Sequence, residues 1–130
     1  MTKTQLQDLL RGDEKDFYYN SDYHTFDAYD MLNLIEYIED KDYATAGDMR
    51  DDNEATIHEA CDSAIPIYYA DLARWFGKNW SAVNEYIDEF GEMATVDNKP
   101  DIMKTIQGAY YITYEREILE ALNVLMNKND

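Results

Sequence analysis

The sequence predicts an all-α protein, a compact bundle of about five to six helices in a single domain. Apolar residues make up 45% of the 130 positions, which is enough for one hydrophobic core. Along most of the chain they recur every three to four positions, the period of an amphipathic helix. Strand signals are weak, because there is no Asn-Gly turn and no sustained alternation of β-branched residues.

A short first helix is predicted over residues 4–11, and Gly12 directly after it is a typical stop signal. Its apolar face consists of Leu6, Leu9 and Leu10. Residues 13–23 are polar and aromatic, and we expect a loop or an ordered arm there. We therefore divide the chain into an N-terminal extension of helix and loop, residues 1–21, and an acidic helical domain, residues 22–130.

A second helix is predicted from about Thr25 to Glu39, followed by a loop over residues 40–52 that contains Gly47 and many acids. The apolar stripe of this helix consists of Phe26, Tyr29, Leu32, Ile35 or Tyr37, and Ile38. A third helix begins near residues 51–53, which are favourable N-cap types. Its inward face consists of Ile57, Ala60, Cys61 and Ala64.

Pro66 separates the third helix from a fourth, because proline lacks a backbone N–H and disfavours helix at the preceding Ile65. We place Pro66 in the first turn of the fourth helix, which ends at Gly77. A short fifth helix begins at the cap Ser81 and closes at Gly91. The apolar residues of these two helices are Ile67, Tyr68, Leu72, Trp75, Phe76, Val83, Tyr86, Ile87 and Phe90.

The last predicted helix is the longest. Asp97 or Asn98 and Pro100 mark its start, and it extends as far as Met126. Its inward stripe consists of Ile102, Ile106, Ala109 or Tyr110, Thr113, Glu117 or Ile118, Leu122 and Leu125. Gly108 weakens the helix by roughly 1 kcal/mol relative to Ala, and it can permit close packing.

The chain carries 28 acidic and 11 basic residues, a net charge of −17. Residues 1–62 hold 17 acids and 5 bases, whereas residues 63–130 hold 11 acids and 6 bases. Such a surface repels phosphate, which argues against direct binding to nucleic acid or to an acidic membrane. The charge instead favours a basic protein partner.

The single cysteine, Cys61, can form no internal disulfide, so we expect a reducing compartment such as a cytoplasm. We also expect neither a signal peptide nor a membrane-spanning segment.

The strongest candidate for a catalytic or metal site is His58-Glu59-x-x-Asp62, which places His58 and Asp62 on one helix face. A metalloprotease needs a second His at the position of Asp62, and the other histidine, His24, lacks ligand spacing. An ion pair between His58 and a carboxylate explains the motif as well. His58 with Cys61 lacks a third catalytic group, and Cys61 fits a small core residue. We therefore expect no enzyme, no metal and no cofactor.

Four aromatic residues, Tyr68, Tyr69, Trp75 and Phe76, admit two interpretations. They could stack on nucleic-acid bases, or they could belong to the core or to a contact between subunits. The net charge of −17 favours the second interpretation.

The acids also admit two interpretations: a solvated surface, or carboxylates that imitate the phosphates of DNA. Duplex DNA presents one negative charge per ≈ 1.7 Å of its axis, and acids three or four residues apart on a helix are about 5–6 Å apart. A chain at −17 would match about 29 Å of duplex. The candidate mimic carboxylates are Asp27, Asp30, Glu36, Glu39, Asp40, Asp42, Asp48, Asp51, Asp52, Glu54, Glu59 and Asp62.

Part of the central segment follows a pattern found in other proteins. Its residues are Ile57-His58, Ala60, Asp62, Ala64, Pro66 and Tyr68-Tyr69-Ala70-Asp71. This pattern resembles the central segment of the Ocr family of phage antirestriction proteins, which mimic B-form DNA. The stretch from Phe26 to Leu32 is similar to that family's first helix, and the stretch from Asp101 to Asn123 is similar to its long last helix.

The resemblance implies an all-helical homodimer that occupies the DNA groove of type I restriction-modification enzymes inside a bacterial host. It also implies a dimer contact after Tyr-Tyr-Ala-Asp, here at Leu72, Trp75 and Phe76. The chain departs from the family in its extra N-terminal residues and in lacking an acidic tail. These departures leave open another target, such as a CRISPR effector, and the shape of the dimer. The remaining alternative is a plain acidic helical interaction module.

Overall fold

The computed structural model describes residues 1–12, 17–21, 23–90, 95–97 and 99–127, and this part of the chain is mostly helical. Its seven helices are α1 (Lys3–Gly12), α2 (Ala28–Ile35), α3 (Ala46–Asp52), α4 (Glu54–Ala64), α5 (Tyr69–Lys78), α6 (Trp80–Phe90) and α7 (Ile102–Asn127). The predicted helical class is confirmed. None of the described helices is long and apolar enough to cross a membrane.

A short antiparallel hairpin occupies part of the predicted arm and the predicted start of the second helix. β1 (Tyr18–Asn20) pairs with β2 (Thr25–Asp27), with Tyr19 opposite Phe26. Three residues are too few for the alternation of a strand to be visible in the sequence, which is why this hairpin was not predicted. The parts of the arm at residues 13–16 and 22 lie outside the described residues.

The second helix starts later than predicted, at Ala28, because Asp27 is its N-cap. The Asp27 carboxylate accepts a hydrogen bond from the backbone N–H of Asp30 at 2.9 Å. A further helix, α3, forms in the region predicted to be a loop. Thr45 caps it by accepting from the backbone N–H of Asp48 at 3.1 Å. This Thr-x-x-Asp spacing is a start signal that the sequence analysis missed.

Pro66 does separate two helices, but the helix after it begins later than predicted. α5 starts at Tyr69, and the carbonyl of Tyr68 accepts the N–H of Leu72 at 3.2 Å. Pro66 therefore lies in the connection rather than in the first helical turn. Ile67 and Tyr68, predicted to lie in this helix, precede it and are 89% and 72% exposed.

The chain forms two compact units. The first unit comprises Met1–Ala60 and Glu115–Asp130, and the second comprises Cys61–Tyr114. The boundaries between the two units fall inside α4 and α7. The first unit holds 20 acids and 7 bases, and the second holds 8 acids and 4 bases. Most of the negative charge therefore belongs to the first unit.

In the first unit, α1 packs against α2 over a buried apolar core. Its largest members are Leu6, Leu10, Phe26, Met31, Ile35, Met49, Ile57, Ile118, Leu122 and Leu125. The hairpin is tied to α7 by polar contacts. His24 Nδ1 lies 2.8 Å from Glu117 Oε1 with both side chains buried, and the Tyr19 hydroxyl donates to the Glu120 carboxylate. The predicted inward position of Glu117 is confirmed, with His24 as its partner.

In the second unit, the core consists of Leu72, Val83, Ile106 and Ala109, with half-buried aromatic and aliphatic side chains packed against it. A short strand pair, β3 (Thr95–Val96) with β4 (Lys99–Pro100), precedes α7. Gly108 permits the close packing that its position suggested. A Cβ there would lie 2.7 Å from the Tyr86 hydroxyl oxygen.

Candidate phosphate-mimicking surface

The predicted mimic carboxylates lie at the surface: eleven of the twelve are exposed, and Asp27 is half-buried. Between Asp27 and Asp62 the chain holds twelve acids and two bases, Lys41 and Arg50. All of these acids except Asp62 belong to the first unit. Residues 27–59, with eleven acids, are called the acidic segment below.

Two carboxylates of the acidic segment also stabilise α2. Asp27 and Asp30 form a reciprocal capping box, in which Asp30 Oδ2 accepts the backbone N–H of Asp27 at 3.2 Å. Acids in the first turn are favourable because the helix dipole is positive there. Partial burial raises the pKa of Asp30, and the nearby Asp27 carboxylate raises it further. The reciprocal hydrogen bonds of the capping box hold these two carboxylates in fixed positions.

A buried asparagine fixes the loop that connects α2 with α3. Asn53 is 6% exposed, and its Oδ1 accepts the backbone N–H of Glu39 at 3.0 Å. Its Nδ2 donates to the carbonyl of Met49 at 2.8 Å and to the Tyr43 hydroxyl at 3.0 Å. The Tyr43 hydroxyl donates in turn to the Glu39 carbonyl at 3.1 Å. One buried network thus holds the acids of the loop in place relative to those of α3.

Lys41 neutralises part of the acidic segment. Its Nζ lies 2.9 Å from Glu39 Oε2 and 2.9 Å from Asp52 Oδ2. Hydrogen bonds to Asp52 and Glu39 raise the pKa of Lys41, and the bond to Lys41 lowers the pKa of Asp52. All three side chains are exposed, so solvent screens the ion pairs and their contribution to stability is small. Their main consequence is that two carboxylates share one ammonium group.

Among the described residues, most other acids of the acidic segment have no basic partner. Asp51 pairs with Arg50 at 3.2 Å, and Asp42 lies 2.6 Å from the amino group of Met1. The acids with no basic group within 4.0 Å, judged over the described residues, are Asp27, Asp30, Glu36, Asp40, Asp48, Glu54 and Glu59. Their charge is available to cations from another molecule.

Three of the residues considered for catalysis or metal binding, His58, Cys61 and Asp62, lie on α4. His58 is exposed on α4, and Cys61 is buried. Across the described residues, no group of three or more His, Cys, Asp or Glu side chains is placed to hold a metal ion.

The predicted dimer contact lies in the second unit. Leu72 is fully buried in its core, and Trp75 and Phe76 pack against this core with part of their surface exposed. Leu72 therefore has no exposed surface for a partner, and a contact at this position would have to use Trp75 and Phe76. The large apolar side chains that this unit does expose, among its described residues, are Ile67, Tyr68, Tyr69, Trp80 and Ile102.

Sequence reasoning missed the residues that organise the surface, namely Asn53, Tyr43 and Lys41. Asn53 was considered only as a helix cap, because no periodicity reveals hydrogen bonds to residues ten or more positions away. Tyr43 is 4% exposed, and an aromatic ring in an otherwise acidic loop was a visible sign of burial.

No family model, curated protein or solved structure matches the chain. The resemblance to the Ocr family therefore rests on the sequence pattern of the central segment and the two helices beside it.

Proposed function

We propose that the protein is a phage-type antirestriction protein that mimics B-form DNA and blocks the DNA groove of type I restriction-modification enzymes. The observation that supports this most is the acidic segment. It holds eleven acids, ten of them exposed, and seven of the eleven have no basic group within 4.0 Å in the described chain. The resemblance to the Ocr family supplies the class of target.

The protein acts by occupancy and performs no chemistry. DNA-binding grooves hold duplexes largely through Lys and Arg contacts to phosphates. The acidic segment offers carboxylates to the same cations and displaces the duplex. Asn53 and the capping box at Asp27 hold part of this charge in place before binding. Such preorganisation lowers the entropy cost of association.

The protein forms a homodimer through its second unit. This unit carries 8 acids and 4 bases, against 20 acids and 7 bases in the first unit, so a second copy meets less repulsion there. Ile67, Tyr68 and Tyr69 expose 67–89% of their surface in this unit. Burying such a patch against its copy removes apolar area from water.

The proposal is tested by displacement of DNA from a purified type I restriction enzyme. A fluorescent duplex with the recognition site is bound to the enzyme, and the chain is titrated in. We expect stoichiometric release of the duplex and loss of ATP-dependent cleavage. A matched control carries Glu36→Gln, Asp48→Asn, Glu54→Gln and Glu59→Gln, which keep the side-chain shapes and remove four charges.

The control should need a higher concentration to release the same fraction of duplex. Retention of the duplex at a large excess of the wild-type chain would contradict the proposed target. The same titration on a CRISPR effector distinguishes the alternative target, since release only there would identify another defence complex.

A further inference from the structure

The exposed face of α2 combines aromatic rings with carboxylates. The exposed residues between 28 and 37 are Tyr29, Asp30, Asn33, Glu36 and Tyr37, which together are called the α2 face. Tyr29 exposes 66% of its surface and Tyr37 exposes 73%. Tyr29 was predicted to lie in the buried stripe, so its exposure is a finding of the structure.

The geometry of the helix brings these groups together on one side. Asn33 is four residues from each tyrosine, and side chains four positions apart on a helix are neighbours. Beyond Ile35 the chain continues in a tight turn, with the N–H of Tyr37 bonded to the carbonyl of Leu34 at 3.4 Å. Tyr29 and Asn33 are therefore neighbours on α2, and Tyr37 follows in the turn after the helix.

In the described part of the chain, the carboxylates of the α2 face have no ion-pair partner. Lys3 lies close by, but its Nζ donates to the backbone carbonyl of Glu36 at 2.6 Å. Judged over the described residues, no basic group lies within 4.0 Å of the carboxylates of Asp30 or Glu36. The face therefore offers negative charge beside two aromatic rings.

We propose that the α2 face binds arginine side chains on the DNA-gripping surface of the target, a step that rests on the proposed function. A guanidinium is planar and weakly hydrated, so it can stack on a tyrosine ring while it donates two hydrogen bonds to a carboxylate. Lysine presents a compact, strongly hydrated charge and gains less from a ring. The α2 face thus selects arginine over lysine. Exposed carboxylates without neighbouring aromatic rings would discriminate between the two side chains only weakly.

The test uses ten-residue peptides of all arginine and all lysine, titrated into the intact chain by calorimetry at one ionic strength. The variant Tyr29→Leu/Tyr37→Leu removes both rings and keeps apolar side chains of moderate size. The matched control Tyr29→Phe/Tyr37→Phe keeps the rings. Both pairs of substitutions lie at exposed positions, and circular dichroism verifies the helix content.

We expect the leucine variant to lose about two- to fivefold in affinity for the arginine peptide per ring, with little change for the lysine peptide. The phenylalanine variant should bind both peptides as the wild type does. Equal losses for both peptides in the leucine variant, or no loss for either, would overturn the inference.

The inference and the proposed function can fail separately. If the chain prefers arginine through its tyrosines but leaves DNA bound to every type I enzyme, the result supports the arginine site and contradicts the proposed target. If the chain displaces DNA but its leucine variant binds both peptides as the wild type does, the result supports the proposed target and contradicts the arginine site.

Discussion

Asn53 illustrates how one buried polar side chain can position an exposed charged surface. Its amide bonds to Glu39, Met49 and Tyr43, all at 3.0 Å or less. The sequence alone predicted the exposure of the acids, because charged side chains at loop and helix-surface positions are rarely buried. It could not predict Asn53 as their organiser, since that role depends on contacts between distant segments.

Replacing Asn53 with Ala should therefore destabilise the fold. We expect Asn53→Ala to lower the free energy of unfolding by about 1–3 kcal/mol, because buried hydrogen-bond partners would be left unsatisfied. Urea denaturation measures the change. The exposed Asn84 provides the control, and Asn84→Ala should stay within about 0.5 kcal/mol of the wild type. Equal stability of the two variants would show that the network does not hold the loop.

A substitution at Lys41 is expected to strengthen binding to the target. Lys41→Gln releases Glu39 and Asp52 from their shared ammonium group. We expect this variant to bind a basic target about two- to fivefold more tightly, since exposed ion pairs are weak and two carboxylates become available. Lys41→Arg keeps the charge and should bind as the wild type does. Weaker binding by Lys41→Gln in the displacement assay would argue against charge mimicry.

The same ion pair has a defined pH dependence. Lys41 lowers the pKa of Asp52 in the folded protein, so the stability from this pair is present above the unfolded pKa of Asp52. It is lost as the pH falls through the folded pKa. Wild type and Lys41→Gln should therefore converge in urea midpoint at acidic pH. A difference that persists there would show that Lys41 acts through something other than Asp52.

At the scale of elements, the sequence predicted those helices whose caps and stripes are strong. α7 was predicted to run from near Pro100 to Met126 and spans Ile102–Asn127. α3 was missed because it has only seven residues and contains Gly47. The hairpin was missed because its strands have three residues each and because it is fixed partly by His24 and Glu117, which are 93 positions apart. No local sequence pattern indicates a contact between residues so far apart in the chain.

The packing of α6 against α7 in the second unit depends on the missing side chain at Gly108. A Cβ there would lie 2.7 Å from the Tyr86 hydroxyl oxygen and 2.8 Å from its ring carbon Cζ. We expect Gly108→Ala to lower the melting temperature, because overpacking costs about 1–3 kcal/mol and exceeds the gain of roughly 1 kcal/mol in helix propensity.

A double-mutant cycle tests whether the clash with Tyr86 causes the destabilisation by Gly108→Ala. In a Tyr86→Ala background the clash is absent, so the added Gly108→Ala should stabilise the protein through its helix propensity. Calorimetric unfolding of the four proteins measures the cycle. Destabilisation by the same amount in both backgrounds would exclude Tyr86 as the reason for glycine at this position.

At the scale of the whole molecule, the net charge of −17 opposes folding by self-repulsion. The acids are concentrated in the first unit, and seven of them in the acidic segment have no basic group within 4.0 Å in the described chain. A surface selected only to keep the chain in solution does not require this concentration. Because many weak contacts share the binding, no single Ala substitution among the acids should abolish inhibition.

The central claim is that these carboxylates take the contacts that a target makes with phosphates. The most direct measurement is the affinity of the wild-type chain for a purified type I restriction enzyme as a function of salt. We predict a fall of at least about tenfold between about 50 and 200 mM salt, parallel to that of duplex DNA on the same enzyme. An affinity that stays constant across this range would contradict the account and identify the chain as an apolar interaction module.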